Sequence, residues 1–440
     1  MSPAFSPGPG ARRARRRRVR GAAAITLLVL AAACTERSIT SPNEGSAPGS
    51  GAPTVEITIP ADSMTVWRDT TYTGFATPGN VAFWIGAKTD SLESRPLLRI
   101  ATIPDTLTID SLAFVADTFR DAQLRLTYDT TDIVIPAGGT TFKAYVLNRS
   151  YDASRATWDQ AADGQPWDSA GGELGPLLAT LTLKPLGSDS VVNDTITGDS
   201  ELPPDSLLKA WRASGGGHGI IVVPQDAGTR VRFIQAVLAS NFDAVHGDSV
   251  RKLYQYFPAS GQTFIYSPSP PAPSPSELRV GGVPAGRGYF EFLPPDSMEG
   301  YRLRGAQISR AELVFQPLGA PAAPFRLERA VTARLTALAA DFFQLGPKTP
   351  VAGWSSAPTF SMDPDSLATG MPVRLDVTTL LRNWAATPAD STPQRIRLGL
   401  ELLPDGQTLG YWSFGGVKAP ADARPRLRLL VTPPVPFTVP

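Results

Sequence analysis

The feature that most constrains this chain is an alternation of apolar and polar residues at a period of two. It is plainest from Val373 to Thr432. Val373, Leu375 and Val377 alternate with polar neighbours, as do Ile396, Leu398, Leu400 and Leu402, and again Leu427, Leu429 and Val431. That period belongs to half-buried strands. Between the first two runs, Thr378 or Thr379 is placed to cap a short helix with Leu380, Leu381 and Trp384 on one side. A tryptophan beside leucines at that spacing is expected in the core, closing one end of a β-sandwich.

The same grammar occurs earlier. SLLKAW (206–211) mirrors TLLRNW (379–384), and HGIIVV mirrors LGLELL with Gly219 opposite Gly399. VRKLYQYF (250–257) mirrors PRLRLLVT, and DAQLRLTY (121–128) mirrors RAELVFQP (310–317). Trp211, Trp384, Gly219 and Gly399 are therefore structural positions of a tandem repeat with variable loops. The 43 prolines and 39 glycines are spread along the 440 residues as turn punctuation between short strands. The expected fold class is all-β, with two tandem β-sandwich modules and a short inserted helix.

These motifs, in this order, resemble the DNRLRE family, also known as carbohydrate-binding module family 96. RPLLRIATIP (95–104) and RGYFEFLP (287–294) resemble its arginine-led strand, and TWDQAADGQPWDSAGGE (157–173) resembles its tryptophan loop. The likeness covers most of both halves. It implies jelly-roll-like modules, carbohydrate binding, and a family that includes a polysaccharide hydrolase.

The N-terminus reads as an export signal. ARRARRRRVR is a basic segment, and GAAAITLLVLAAA is an apolar run of thirteen residues. At 1.5 Å per residue that run is too short to span about 30 Å of hydrocarbon. Ala31, Ala32 and Ala33 lead into Cys34, the single cysteine. The arrangement resembles a bacterial lipobox, which makes Cys34 the expected lipidation site. Thr35, where an aspartate would signal inner-membrane retention, points by analogy to the outer membrane. With one cysteine there is no disulfide, so the modules depend on their cores. The expected division is a lipoprotein signal over 1–33, a disordered tether over 34–53 rich in Ser, Gly and Pro, one module over 54–258 and a second over 259–440.

Along the body, TVEITIP, NVAFWIGAKT, AQLRLTYD, TTFKAYVLNRS and LLATLTLKP read as strands. QTFIY reads as the second module's first strand, and SPSPPAPSPS (267–276) as a loop within that module. ARLTALAADFFQLG (333–346) is the best helix candidate, because Leu335, Leu338, Phe342 and Leu345 recur at helical spacing and Gly346 can end the run.

The chemistry is sparse. There are two histidines, His218 and His246, and neither sits in a zinc or nucleophile motif. No metal ligand is assigned, although calcium fits the taste of Asp-rich loops for hard cations. A net charge of +1 argues against a dedicated nucleic-acid binder. Asp159, Asp163, Asp168 and Glu173 cluster around Trp158 and Trp167, and sugar rings stack on flat aromatic faces while carboxylates take the hydroxyls. Trp158, Trp167, Asp159 and Asp168 are accordingly the glycan-binding candidates, with no catalytic residue assigned. The expected function is a non-enzymatic cell-envelope lipoprotein that binds a glycan or another envelope component. The alternatives are a structural or adhesive spacer, and a polysaccharide-cleaving enzyme, which needs two carboxyls across a sugar site.

Overall fold

The computed structural model describes residues 54–185, 193–353, 357–388, 392 and 394–432. The export signal, Cys34 and the tether lie outside the described residues. Glu56–Pro434 forms one compact unit, and the other unit, Met1–Val55 with Val435–Pro440, falls almost wholly outside the described residues. The fold is all-β, built from curled antiparallel sheets with a few short helices.

One eleven-stranded sheet occupies the middle of the chain. Its two longest strands, Thr229–His246 and Ser249–Ser267, take different partners along their length, and this carries the sheet around its own core. Ser249–Pro258 pairs with Val237–His246, whereas Ala259–Ser267 pairs with Glu93–Ile100. Phe114, Phe142, Phe233, Phe242 and Phe264 fill the interior. Apart from two short two-stranded ribbons, the remaining strands form a seven-stranded and a four-stranded sheet around Phe290, Phe292, Phe315 and Trp412. The two bodies share apolar contact, because Val283, Phe325, Leu409 and Tyr411 join the first body's core beside Tyr266.

Strand pairing groups the chain differently from the expected 54–258 and 259–440 division. Ser249–Ser267 runs unbroken across residue 258, and QTFIY pairs with Glu93–Ile100 of the first body, not with the second. Val55–Pro60 and Val66–Thr73 complete the second body. The former lies beside Arg426–Thr432, and the latter pairs along Gly286–Leu293. Ile57 and Ile59 are fully buried there, and Trp67 stacks on Phe290 and Phe292 at 5.8 and 5.6 Å. The SPSPPAPSPS run connects one body to the other instead of looping within the second.

The two exchanged segments are equivalents. Pro60-Ala61 and Thr65 have the same spacing as Pro258-Ala259 and Thr263. Glu93–Ile100 is flanked by Ile220–Pro224 and Ser249–Ser267, as Gly286–Leu293 is flanked by Ile396–Leu403 and Val66–Thr73. Each body is therefore completed by the segment that leads into the other.

Asp69 clamps the N-terminal segment in place. Its carboxylate accepts from Trp67 Nε1 at 2.8 Å and from the Val417 N–H at 2.6 Å. Burial raises its pKa against the pull of those hydrogen bonds. A raised carboxyl pKa means the folded state holds that proton more tightly, so stability falls as pH climbs from the ordinary carboxylate value through the folded one. Asp69→Asn is expected to lose this part of the pH dependence. Urea midpoints of both proteins measured from pH 3.5 upward check it, and parallel curves would contradict it.

Both repeat helices form. Pro204–Ser214 and Thr378–Ala386 bury Trp211 and Trp384, each 4% exposed. Gly219 adopts φ +120°, and a Cβ there would meet Tyr151 and the Leu98 carbonyl oxygen. Gly399 has a different reason, since a Cβ would crowd Thr336 Oγ1 at 3.0 Å. The helix expected over 333–346 is corrected. Val331–Ala337 is a strand paired with Ile396–Leu403, and only Phe342–Leu345 is helical. Ala333 and Leu335 are buried by alternation, and the chain turns after Leu338, which mimics a helical period across the break.

Candidate functional site

The tryptophan loop lies over one face of the first body. Trp167 is 6% exposed and packs with Leu97, Leu147, Ile221 and Ile265. Its Nε1–H donates to the Thr157 carbonyl oxygen at 2.9 Å, and its backbone N–H donates to the Asp159 carbonyl oxygen at 3.0 Å. Trp167 is thus a core residue that fastens the loop, and its ring is withheld from any ligand. This corrects its placement among the glycan contacts.

Trp158 is half-buried and takes the opposite role. It rests over Gly171, whose backbone N–H donates to the Trp158 carbonyl oxygen at 2.7 Å. Gly171 has φ +84°, and a Cβ would sit 2.8 Å from both the indole and the Arg95 guanidinium. Arg95 lies 4.8 Å from the Trp158 ring centre, a cation–π contact, and donates to the Gly171 carbonyl oxygen at 2.7 Å. The indole is therefore held in one orientation at the loop's edge.

That edge forms one wall of a cleft of about 340 Å³, within the range of about 300–1,000 Å³ usual for small-ligand sites. Ser154, Arg155 and Thr157 continue the exposed wall from Trp158. Pro270 and Pro271 of the connecting run line it too, as do the buried Tyr411 and Arg279 of the second body. Arg279 is held over the Tyr411 ring at 4.0 Å and pairs with Glu277 at 2.6 Å. Burial raises the Tyr411 pKa, opposed by Arg279, so the phenol is neutral at physiological pH. The cleft thus offers an aromatic surface and hydroxyls, with Arg155 tied to Asp163 at 3.1 Å. Asn, Gln, Asp and Glu are absent from its described lining.

The loop carboxylates serve the loop. Asp168 is exposed and pairs with Arg149 at 3.3 Å, while its N–H donates to Glu173 Oε1 at 3.0 Å. Asp159 is exposed, and neither Asp159 nor Asp168 lines the cleft. His218 Nδ1 lies 2.7 Å from Ser150 Oγ, and His246 Nδ1 lies 2.8 Å from the Ala113 carbonyl oxygen. Among the described residues, no group of three His, Cys, Asp or Glu could hold a metal ion. Of the four candidates the structure brings only Trp158 to the cleft. Arg279, Tyr411 and the proline run were missed as site residues, because walls contributed by distant segments leave no local spacing to read.

No family model matches the chain, and no curated protein matches it. A solved structure named "BspA_C_WT" is 7% identical, with 77% of this chain and 90% of that chain covered. Its TM-score is 0.13, too low to carry an argument about fold or function.

Proposed function

We propose that the chain is a non-enzymatic cell-envelope lipoprotein, anchored through Cys34 to the outer membrane, that holds a glycan in the Trp158 cleft. The observation that carries this reading is the fixed, half-buried Trp158 indole at the rim of a cleft with hydroxyl-bearing walls. Sugars are recognised by that pairing of an aromatic plane with hydroxyl partners. The order of the DNRLRE-like motifs supports the same ligand class.

The test uses the chain from Thr35, which contains all of Glu56–Pro434. Retention on a panel of soluble and insoluble polysaccharides, with and without calcium, is compared among wild type, Trp158→Ala and Trp167→Phe. Wild type is expected to be retained by at least one polymer, and Trp158→Ala to lose at least tenfold in retention, with a lowered unfolding midpoint but a folded chain at the assay temperature. Trp167→Phe is expected to keep retention while losing about 1–2 kcal/mol of stability from its hydrogen bond and packing. Retention of Trp158→Ala at the wild-type level would remove the cleft from consideration. If wild type bound no polymer, the spacer reading would stand in its place, and the apolar contact shared by the two bodies favours that reading.

A further inference from the structure

The second body carries an unusual charge arrangement on the sheet face opposite Phe290 and Phe292. Glu291 is fully buried and is met by three arginines. Arg68 Nε donates to Oε1 at 2.6 Å, Arg395 Nη1 donates to Oε1 at 2.8 Å and Arg397 Nε donates to Oε2 at 3.1 Å. Arg68 also reaches Asp341 at 3.2 Å and lies over the Phe343 ring at 4.1 Å. Two carboxylates thus face three guanidiniums, which leaves one positive charge in excess.

The surplus has a direction. Arg397 lies in the strand Ile396–Leu403 and Arg395 directly precedes it, and both guanidiniums reach the one Glu291 carboxylate. Each gives Glu291 one of its five N–H donors in the bonds named above. Their side chains are 41% and 30% exposed, and both line a cavity of about 550 Å³. Asn383, Trp384, Gln394 and Leu398 line it as well, and among its described lining residues none is acidic. Arg304, whose guanidinium lies 5.2 Å from the Trp384 ring, is already answered by Asp296 at 3.1 Å. Adjacent like charges beside a cavity with amide donors and no acid among its described lining suit a ligand that brings negative charge. A planar or tetrahedral oxoanion matches the arginine fork.

We propose that this cavity is an oxoanion-binding site, with Arg395 and Arg397 as its charged clamp and Asn383 and Gln394 as flanking donors. The bound group is a carboxylate, sulfate or phosphate, either free or carried on a polymer. The Glu291 carboxylate holds the two guanidiniums in position, so the ligand meets a prearranged pair. The site is on the second body and shares no lining residue with the Trp158 cleft, so either can fail without the other.

Calorimetric titration of the chain from Thr35 tests it, with ionic strength held constant by chloride. The probes are inorganic sulfate, inorganic phosphate, dextran sulfate, polygalacturonate and uncharged dextran. Saturable binding of at least one anion is expected, with no binding of dextran at this site. Arg395→Gln with Arg397→Gln is expected to weaken it tenfold or more, and Arg395→Lys with Arg397→Lys to weaken it less. Because the arginines also serve Glu291, Gln394→Glu supplies an independent arm. It sets a carboxylate at an exposed lining position and should weaken the anion while leaving the unfolding midpoint unchanged. Tighter binding of a charged polymer than of free anion would identify a polymer as the source, and the reverse would identify a small anion. No saturable anion binding, or wild-type affinity in both Gln394→Glu and the double glutamine variant, would overturn the proposal.

Discussion

Removal of residues 54–75 is expected to unfold the second body and spare the first. The deleted segment comes first in sequence, yet its strand partners are Gly286–Leu293 and Arg426–Thr432. Its loss strips one edge from each of the second body's two sheets. It also removes Ile57, Ile59 and Met64 from the core and the Trp67 ring from Phe290 and Phe292. Burying a large apolar side chain contributes about 1.5–3 kcal/mol, so four of them, with Trp67 half-buried, contribute up to about 6–12 kcal/mol, comparable with the 5–15 kcal/mol by which a whole domain is stable. The exposed edges would in addition invite pairing between chains. Hydrogen exchange read by mass spectrometry is the measurement. Amide protection over 277–432 should be lost, while protection over 93–100, 220–224 and 229–246 persists. A synthetic peptide of residues 54–76 added in excess should restore part of it. If 277–432 stayed protected in the truncated chain, the exchanged segment would be dispensable and the division into two contiguous modules would be the better account.

This exchange also marks the limit of what was legible in the sequence. Alternation is local, so strands such as Ile396–Leu403 and Arg426–Thr432 could be read directly, as could the helices carrying Trp211 and Trp384. Which strands pair is a non-local matter, and a strand's pattern looks the same whichever partner it finds. QTFIY shows this, being a true strand assigned to the wrong body. The repeated Pro-Ala and Thr spacing at 60–65 and 258–263 was the available signal. It identifies the segments as equivalents, although it is silent about their exchange. The 333–346 error came from reading a period across a turn, where Leu335 belongs to a strand and Phe342 to a later helix. Trp158 and Trp167 were both visible as loop tryptophans. Their separation into rim and core depends on Gly171, Arg95 and the Thr157 carbonyl oxygen, contacts set by the folded loop. Arg395 and Arg397 announced themselves only as polar positions on either side of Ile396. Their common carboxylate is more than a hundred residues away.

Glu291→Ala is expected to be the most damaging single substitution on the second body's charged face, at about 3 kcal/mol. Deleting one partner of a buried ion pair costs about 3–5 kcal/mol because the other charge is left unanswered. The lower end applies here, since Arg68, Arg395 and Arg397 are each about a third exposed and water can screen part of the loss. Arg68 also retains Asp341, whose charge is felt by Arg397 as well, which leaves Arg395 the least compensated of the three. Urea unfolding at pH 7 and low salt gives the difference. The same variant bears on the anion site from the opposite side. Without the internal carboxylate, the two guanidiniums have no other anion in the bonds described, so added sulfate should recover more stability in Glu291→Ala than in wild type. That excess should vanish when Arg395→Gln and Arg397→Gln are combined with it, which separates site binding from sulfate's general strengthening of burial. A Glu291→Ala protein as stable as wild type would mean the three arginines are satisfied by water alone. The prearranged clamp would then have no physical basis.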